Sequence, residues 1–500
     1  MVGSEYFGYN EFMMEAKTQN SPTDDIPTLN AGASRTSTKS EKTGYRIASV
    51  FGRVNYNYQM KYLLSLVARY DGISRLKDNR WGFFPGVSVG WNVTEEDFWK
   101  ESKISEVISN IKPRLSYGVN GNVNGIGNFD IYGIYKQIGA GNYDGATAYY
   151  NSSLINTGLR WEQSRSFEAG LDLGFFNNRL SFIFDYYNRT TDDLLTDVNL
   201  PAYTGFSSMK TNLGKLRNSG FEMEVRANIL YAKGFNWEVS ANLTSVSNKV
   251  LKLPTSDKPF NQIDGYEVAA GLYNPETGET PTKWIGGYRE GGKLGDMVGY
   301  VQNHIFRDWN DVKANANMVI DEVANLYGPG MANEINPQTG VTYAESNGWK
   351  PIEPGDVCWE DINKDGKINS LDRAVVGNIF PKVTGGFSTT LSYKNWSLYA
   401  RFDYALGHTI YNDLKARSLG QYQGQFNIID KVHDTWSETN PDTDLPVFTY
   451  ADQLNKKNIT RSNNGNTAVD NNSSRFYEKG DYLALREITL SYSLPKKMDW

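Results

Sequence analysis

Phe221-Glu222-Met223-Glu224-Val225-Arg226-Ala227-Asn228-Ile229 leads through the turn Ala232-Lys233-Gly234 into Phe235-Asn236-Trp237-Glu238-Val239-Ser240-Ala241-Asn242-Leu243-Thr244. Both runs alternate without a break. Phe221, Met223, Val225, Ala227 and Ile229 oppose Glu222, Glu224, Arg226 and Asn228. Phe235, Trp237, Val239, Ala241 and Leu243 oppose Asn236, Glu238, Ser240, Asn242 and Thr244. A period of two with one apolar face marks β-strands, and a tight Gly-containing turn between two such runs marks a hairpin.

The same pattern extends in both directions from this hairpin. Val50, Val54, Tyr56 and Tyr58 share one face, and after Gln59-Met60-Lys61 the phase resumes with Tyr62, Leu64, Leu66, Ala68 and Tyr70. Val87, Val89, Trp91 and Val93 follow, with Thr94 expected to cap a short helix over 95–99. Phe167 to Phe175 and Leu180 to Tyr186 flank Asn177-Asn178; Val383 to Tyr393 and Trp396 to Tyr404 flank Lys394-Asn395. A last strand covers 482–494. These runs have the length that a tilted membrane strand needs. Short turns alternate with long connections, read as 190–217, 249 to about 282, 303–382 and 407–480. Aromatics gather near the short turns (Tyr56, Tyr58, Tyr62, Trp237, Tyr393, Trp396), where a membrane interface would lie.

Composition agrees. Aromatics are 13% of the 500 residues, and Gly numbers 47. No apolar run reaches the 18 or so residues of a membrane helix. The net charge of −6 does not suit a nucleic-acid binder. Cys358 is the single cysteine, which excludes an intrachain disulfide and a cysteine metal cluster. Connections as long as 303–382 and 407–480 argue against a soluble sandwich, and no blade-length repeat marks a propeller. The fold class is therefore all-β, a transmembrane antiparallel β-barrel. Residues 1–44 read as a polar loop with a helical patch at Tyr6 to Lys17, and residues 45–500 as a partial barrel. Residues 1–20 show no export signal, so an N-terminal part is expected to be missing.

Several phrases resemble the TonB-dependent outer-membrane receptors of the SusC/RagA type. They are Arg69-Tyr70-Asp71-Gly72-Ile73-Ser74-Arg75, Asn79-Arg80-Trp81-Gly82-Phe83-Phe84-Pro85 and Gly90-Trp91. Leu159-Arg160-Trp161-Glu162, Asn177-Asn178-Arg179-Leu180, Asn218-Ser219-Gly220-Phe221-Glu222 and Tyr482 to Leu490 are similar to further segments. The resemblance covers about residues 45 to 495. It implies a receptor barrel whose signal peptide, TonB box, plug and last strands lie outside this chain, so that the piece alone would not transport. It implies import of oligosaccharides or peptides across the outer membrane, with a SusD-like lipoprotein, the TonB complex and outer-membrane lipid as partners. The alternatives are a siderophore-type receptor, or a secreted calcium-binding adhesin or glycan-binding protein.

One stretch carries ligand chemistry. Asp361-Ile362-Asn363-Lys364-Asp365-Gly366-Lys367-Ile368-Asn369-Ser370-Leu371-Asp372 follows the cation-loop pattern, with Gly366 at the sharp turn and Asp372 at the twelfth position. Asp361, Asn363, Asp365, the Lys367 carbonyl and Asp372 are candidate Ca²⁺ ligands, because hard oxygen donors suit that ion. The competing reading is an Asx-rich turn held by its own side chains. Neither reading makes the ion a required cofactor. No catalytic residue is assigned. His304, His408 and His433 have no Ser or Cys nucleophile pattern nearby, and Glu222 with Glu224 reads as lumen charge. Tyr411, Tyr422, Phe426, Tyr450, Trp284, Tyr288 and Trp309 are candidate loop aromatics for stacking on substrate, and 428–436 reads as a short loop helix.

Overall fold

The alternating runs form hydrogen-bonded antiparallel strands. The computed structural model describes residues 1–26, 28–133, 135–143, 146–420, 429–448 and 473–494. Twelve long strands follow one another in a single sheet order. They are Val2–Gln19, Ser34–Tyr58, Tyr62–Ile73, Trp81–Trp91, Ile108–Asn122, Glu162–Phe175, Leu180–Asn199, Ser208–Ala232, Phe235–Lys252, Val383–Tyr393, Trp396–Leu406 and Tyr482–Tyr492. By contacts the chain divides into two units. The first holds 1–242, 251–254 and 391–394; the second holds 243–250, 255–390 and 395–500.

In the first unit, register shows what the alternation does. Val54 pairs with Leu66, Leu66 with Val87, Val87 with Tyr117, and Tyr117 with Phe167. All five are exposed, with Val54 at 59% and Leu66 at 42%. One residue away, Asn55, Ser65, Ser88, Ser116 and Glu168 pair in the same order on the opposite face. Ser65 donates to Asn55 at 2.8 Å and Ser116 to Glu168 at 3.3 Å. On this polar face Arg114 bridges Asp172 at 2.7 Å and Asp185 at 3.2 Å. A one-residue step thus separates an apolar row from a charged, hydrogen-bonded one.

Turns 59–61, 176–179 and 233–234 stand at one end of these strands. The expected turn residues take the left-handed conformation there: φ is 57° at Asn177, 60° at Asn178 and 81° at Gly234. Connections 74–80, 123–161 and 200–207 stand at the other end. Beneath them a core of Ile73, Leu76, Phe84, Val123, Ile126, Leu159 and Trp161 forms. The Leu159-Arg160-Trp161-Glu162 phrase is therefore structural. Trp161 Nε1 donates to the Arg80 carbonyl at 3.0 Å, and the buried Glu162 carboxylate accepts from Asn122 and from the Leu195 N–H.

Four expectations need correction. Residues 1–44 are not a loop with a helical patch: Val2–Gln19 is a strand paired along its length with Ser34–Tyr58. The helix formers Met13, Met14, Glu15 and Ala16 masked the alternation there, and pairing overrode propensity. The connection 190–217 is mostly strand, since Leu180–Asn199 and Ser208–Ala232 run on together and leave only 200–207 between them. Thr94 does not cap a helix; a 3₁₀ turn, Val93–Glu95, precedes Asp97–Lys100, and Glu96 instead accepts from Tyr62 and Trp91. In the second unit, 249–282 and 303–382 are parts of one connection, 253–382, between Phe235–Lys252 and Val383–Tyr393.

That connection builds its own structure. Short strands pair locally: Tyr266–Ala269 with Thr282–Ile285, Asp296–Tyr300 with Arg373–Asn378, and Gln302–Ile305 with Val357–Trp359. Phe306, Val312, Ala316, Leu326, Ile352 and Cys358 form one small core; Tyr300, Ile305, Val357, Trp359 and Ile368 form another. In the same unit Trp396–Leu406 pairs with Tyr482–Tyr492, with a bulge at Arg486. The bulge lets Leu483 and Leu485 share a face with Ile488 and Leu490 despite the change of phase.

Candidate functional site

The acidic loop lies within the connection 253–382 of the second unit. Gly366 (φ 80°) and Lys364 (φ 57°) supply its left-handed bends. Asp361 accepts from the Gly366 N–H at 2.8 Å and from the Asp365 N–H at 3.3 Å. Asp365 accepts from the Lys367 N–H at 2.8 Å. Asp372 is fully buried and accepts from the N–H groups of Ile362 at 2.9 Å and Asn369 at 2.8 Å. Asn369 accepts from Leu371 in return, so both ends of a capping box are made around Ser370–Asp372.

Four residues far away in sequence complete the setting. The buried Asn363 donates to Thr280 Oγ1 at 2.9 Å, and its carbonyl accepts from the Tyr273 N–H at 2.8 Å. Ile320 and Asp321 pair in parallel with Lys367 and Ile368. No local signal announces Tyr273, Thr280, Ile320 or Asp321, because each reaches the loop only through the fold.

The electrostatics of the loop are unbalanced. Burial pushes the Asp372 carboxyl up to about 7, and the charges of Asp361 and Asp365 push the same way, against its two backbone bonds. Burial likewise raises Asp361, helped by Asp365 and opposed by the Gly366 N–H. The donors are all oxygen and suit Ca²⁺. As they lie, though, their oxygens serve the loop's own N–H groups. Among the described residues no three acidic, histidine or cysteine side chains form a group that could hold a metal ion.

A pH dependence follows. The Asp372 carboxyl goes from an ordinary 3.8 to about 7 on folding, so the folded loop prefers the protonated acid. Its contribution to stability is fullest below about pH 4 and is lost as pH rises through 7. In EDTA, protease protection of 253–382 should be weaker at pH 8 than at pH 5. Equal or stronger protection at pH 8 contradicts the assignment.

The remaining candidates do not assemble a second site. Tyr411 packs on Tyr477 with ring centroids 5.1 Å apart. Trp284 lies under Lys258 at 4.8 Å, while Tyr288 and Trp309 are about half exposed. Among the described residues no ring contact joins Trp284, Tyr288 and Trp309 to one another. Tyr422, Phe426 and Tyr450 lie outside the described residues, as does the start of 428–436, where Asp430–Asp434 forms a 3₁₀ turn. His304 pairs with Asp311 at 3.1 Å, and Glu224 pairs with Arg226 along its own strand. Cys358 is buried and its thiol is pushed up to about 12, chiefly by burial, which leaves no thiolate for chemistry.

Comparison with known proteins bears on the strands more than on the loop. A family model described as "TonB dependent receptor-like, beta-barrel" matches residues 2–277. The chain is 30% identical over 455 residues to TonB-dependent receptor P3 of Formosa agariphila, covering 90% of this chain and 39% of that protein. It is 31% identical over 383 residues to TonB-dependent receptor SusC of Bacteroides thetaiotaomicron, covering 75% of this chain and 33% of that one. The chain thus spans well under half the length of these relatives. Among solved structures, the RagAB peptide transporter matches with a TM-score of 0.70 at 22% identity, over 100% of this chain and 47% of that one. That likeness establishes the fold.

Proposed function

This chain belongs to the TonB-dependent receptor β-barrel family, and from that premise we propose that it supplies barrel strands to a SusC/RagA-type importer of oligosaccharides or peptides in the outer membrane. The observation that carries this reading is the pair of rows in the first unit. Val54, Leu66, Val87, Tyr117 and Phe167 stand exposed across five adjacent strands, and the row beside them is polar. An apolar row of that width is a liability in water and a match for lipid. The Arg114–Asp172–Asp185 group then faces a hydrated lumen. In this reading a SusD-like lipoprotein meets the long connections, and TonB acts from the opposite side of the membrane.

The test is made on the complete receptor. It should sediment with outer membranes and need detergent for extraction, and deleting its gene should abolish growth on one glycan or peptide source. Extraction without detergent rules out the barrel reading. A defect confined to ferric-siderophore uptake would replace the nutrient assignment with the siderophore alternative.

We further propose that Ca²⁺ fastens the 361–372 loop, with Asp361, Asn363, Asp365, the Lys367 carbonyl and Asp372 as its oxygens. The raised Asp361 and Asp372 carboxyls support this, since a cation offsets the repulsion of buried acids. Bound there, the ion supplies charge compensation and no chemistry. Ca²⁺ should increase protease protection of 253–382, and Asp361→Ala with Asp365→Ala should abolish the increase. A wild-type protein indifferent to Ca²⁺ has no such site.

A further inference from the structure

We propose that the outward end of the hairpin Val2–Gln19 and Ser34–Tyr58 binds the phosphate of an outer-leaflet lipid headgroup, with Arg46 as its ligand. The proposal rests on the membrane reading above, in which the long connections face outward. The hairpin lies wholly within the first unit.

This hairpin sorts its charges by face. Register pairs Tyr6 with Ala48, Gly8 with Arg46, Asn10 with Gly44 and Phe12 with Lys42. These even-numbered positions share a face with Val54 of the exposed apolar row. Over 2–16 and 38–58 that face carries Lys42 and Arg46 and no acid. The acids of the same segments, Glu5, Glu11, Glu15 and Glu41, all stand at odd-numbered positions on the other face. Each is engaged there. Glu5 meets Arg69 at 3.4 Å, Glu15 meets Lys17 at 3.0 Å and Glu41 meets Lys39 at 3.9 Å. Glu11 accepts from the Tyr9 hydroxyl at 2.7 Å.

Two glycines shape the cationic face. Gly8 lies opposite Arg46, and the arginine side chain crosses the space it leaves: a Cβ at Gly8 would stand 3.3 Å from Arg46 Cδ and Nε. Gly44 leaves room for Asn10 in the same way, its Cβ position lying 3.0 Å from Asn10 Oδ1. The half-buried guanidinium is then held by neutral acceptors. Nη1 donates to the Tyr9 and Tyr45 carbonyls at 2.9 Å each, and Nη2 donates to Asn10 Oδ1 at 3.0 Å. The charge is fixed in place without being cancelled, and neither Arg46 nor Lys42 joins an ion pair among the described residues. A guanidinium has five N–H groups. Three are spent, which leaves Nε–H and one Nη2–H for a further acceptor.

Depth and sign choose the occupant. Aromatic rings bracket the apolar face: Tyr58, Tyr62 and Trp91 near the short turns, and Tyr6 and Trp81 in register with Ala48 at the outward end. From Tyr58 to Ala48 the strand advances ten residues. At about 3.4 Å per residue and a tilt near 40°, that spans roughly 26 Å of bilayer, the height of a membrane barrel's apolar band. Arg46 stands two residues farther out, roughly 5 Å beyond the hydrocarbon and within the headgroup layer. The anion at that depth on the lipid side is a headgroup phosphate, which arginine binds through parallel N–H bonds. Lys42, four residues beyond Arg46, adds attraction at longer range.

The experiment uses the complete receptor purified in a neutral detergent. Diphosphoryl lipid A, its dephosphorylated form and inorganic phosphate are titrated by microscale thermophoresis. Saturable binding of lipid A is expected, with the dephosphorylated lipid and inorganic phosphate each about tenfold weaker or more. Arg46→Gln should weaken lipid A binding about tenfold. Asn10→Asp should do the same, because it keeps the bond to Arg46 and sets a carboxylate beside it, so its loss does not depend on unfolding. Lys42→Gln should weaken binding less, and Lys39→Gln, on the other face, should leave it unchanged. Equal binding of the two lipid forms overturns the proposal, as does lipid A binding unaltered in both Arg46→Gln and Asn10→Asp. Inorganic phosphate binding as tightly as lipid A overturns it in favour of a free-ion site. Extraction without detergent would remove the membrane premise; a receptor that needs detergent and ignores the phosphate loses this proposal alone.

Discussion

Asp372→Ala should open the connection 253–382 while leaving the long strands intact. The carboxylate is fully buried and takes two backbone N–H groups, those of Ile362 and Asn369. Alanine leaves both donors, on the half-buried Ile362 and Asn369, without a protein partner. A fully buried orphan costs about 1–3 kcal/mol, so the local loss is at most roughly 2–6 kcal/mol. The capping box of Ser370–Asp372 goes with it. Asp372→Asn retains one acceptor oxygen and should lose about half as much. Because the wild-type carboxyl is raised to about 7, ionisation weakens the wild-type loop as pH rises, and the gap to the alanine variant should narrow between pH 5 and pH 8. The measurement is urea-dependent proteolysis of the receptor, scored by fragments cut within 253–382, with heat-modifiable gel migration reporting the barrel. An alanine variant as protease-resistant as wild type at pH 5 would refute the role given to Asp372.

How much of this was legible in the sequence depends on where apolar and polar residues alternate. Between Val50 and Tyr70 exposed apolar residues alternate with a polar, hydrogen-bonded face, so each residue's chemistry reports its direction. Farther along the strands, past Arg189 and before Gly220, that alternation lapses. Thr190, Thr191, Arg217 and Asn218 are paired strand residues, yet nothing in their chemistry alternates. The same holds for Ser34 to Lys42, whose polar run reads as loop although it pairs with Phe12 to Gln19. The connection 253–382 was opaque for another reason. Its strands are two to six residues long, too short to show a period, and its cores collect residues from distant places such as Phe306, Leu326 and Cys358. The acidic loop was legible because its chemistry is local: Asp361, Asp365 and Asp372 bond to N–H groups within ten residues of themselves.

Leu66→Arg and Ser65→Arg, one residue apart, should differ sharply. Leu66 sits in the middle of the exposed apolar row, between Val54 and Val87. Ser65 sits in the polar row and bonds to Asn55. If the apolar row faces lipid, an arginine at 66 must be buried in hydrocarbon, which costs about 2–4 kcal/mol near the bilayer midplane. The same arginine at 65 enters a polar face that already carries Arg114 and Glu168, and should change stability by no more than about 0.5 kcal/mol. A soluble protein reverses the expectation, because arginine at an exposed position is harmless in water and relieves an apolar patch. Refolding of the receptor into lipid vesicles over a urea series reads the difference directly. A midpoint lowered for Leu66→Arg and unchanged for Ser65→Arg assigns the two faces to lipid and lumen. Equal midpoints, or a Ser65→Arg variant that is the weaker of the two, would show that the apolar row does not meet the bilayer.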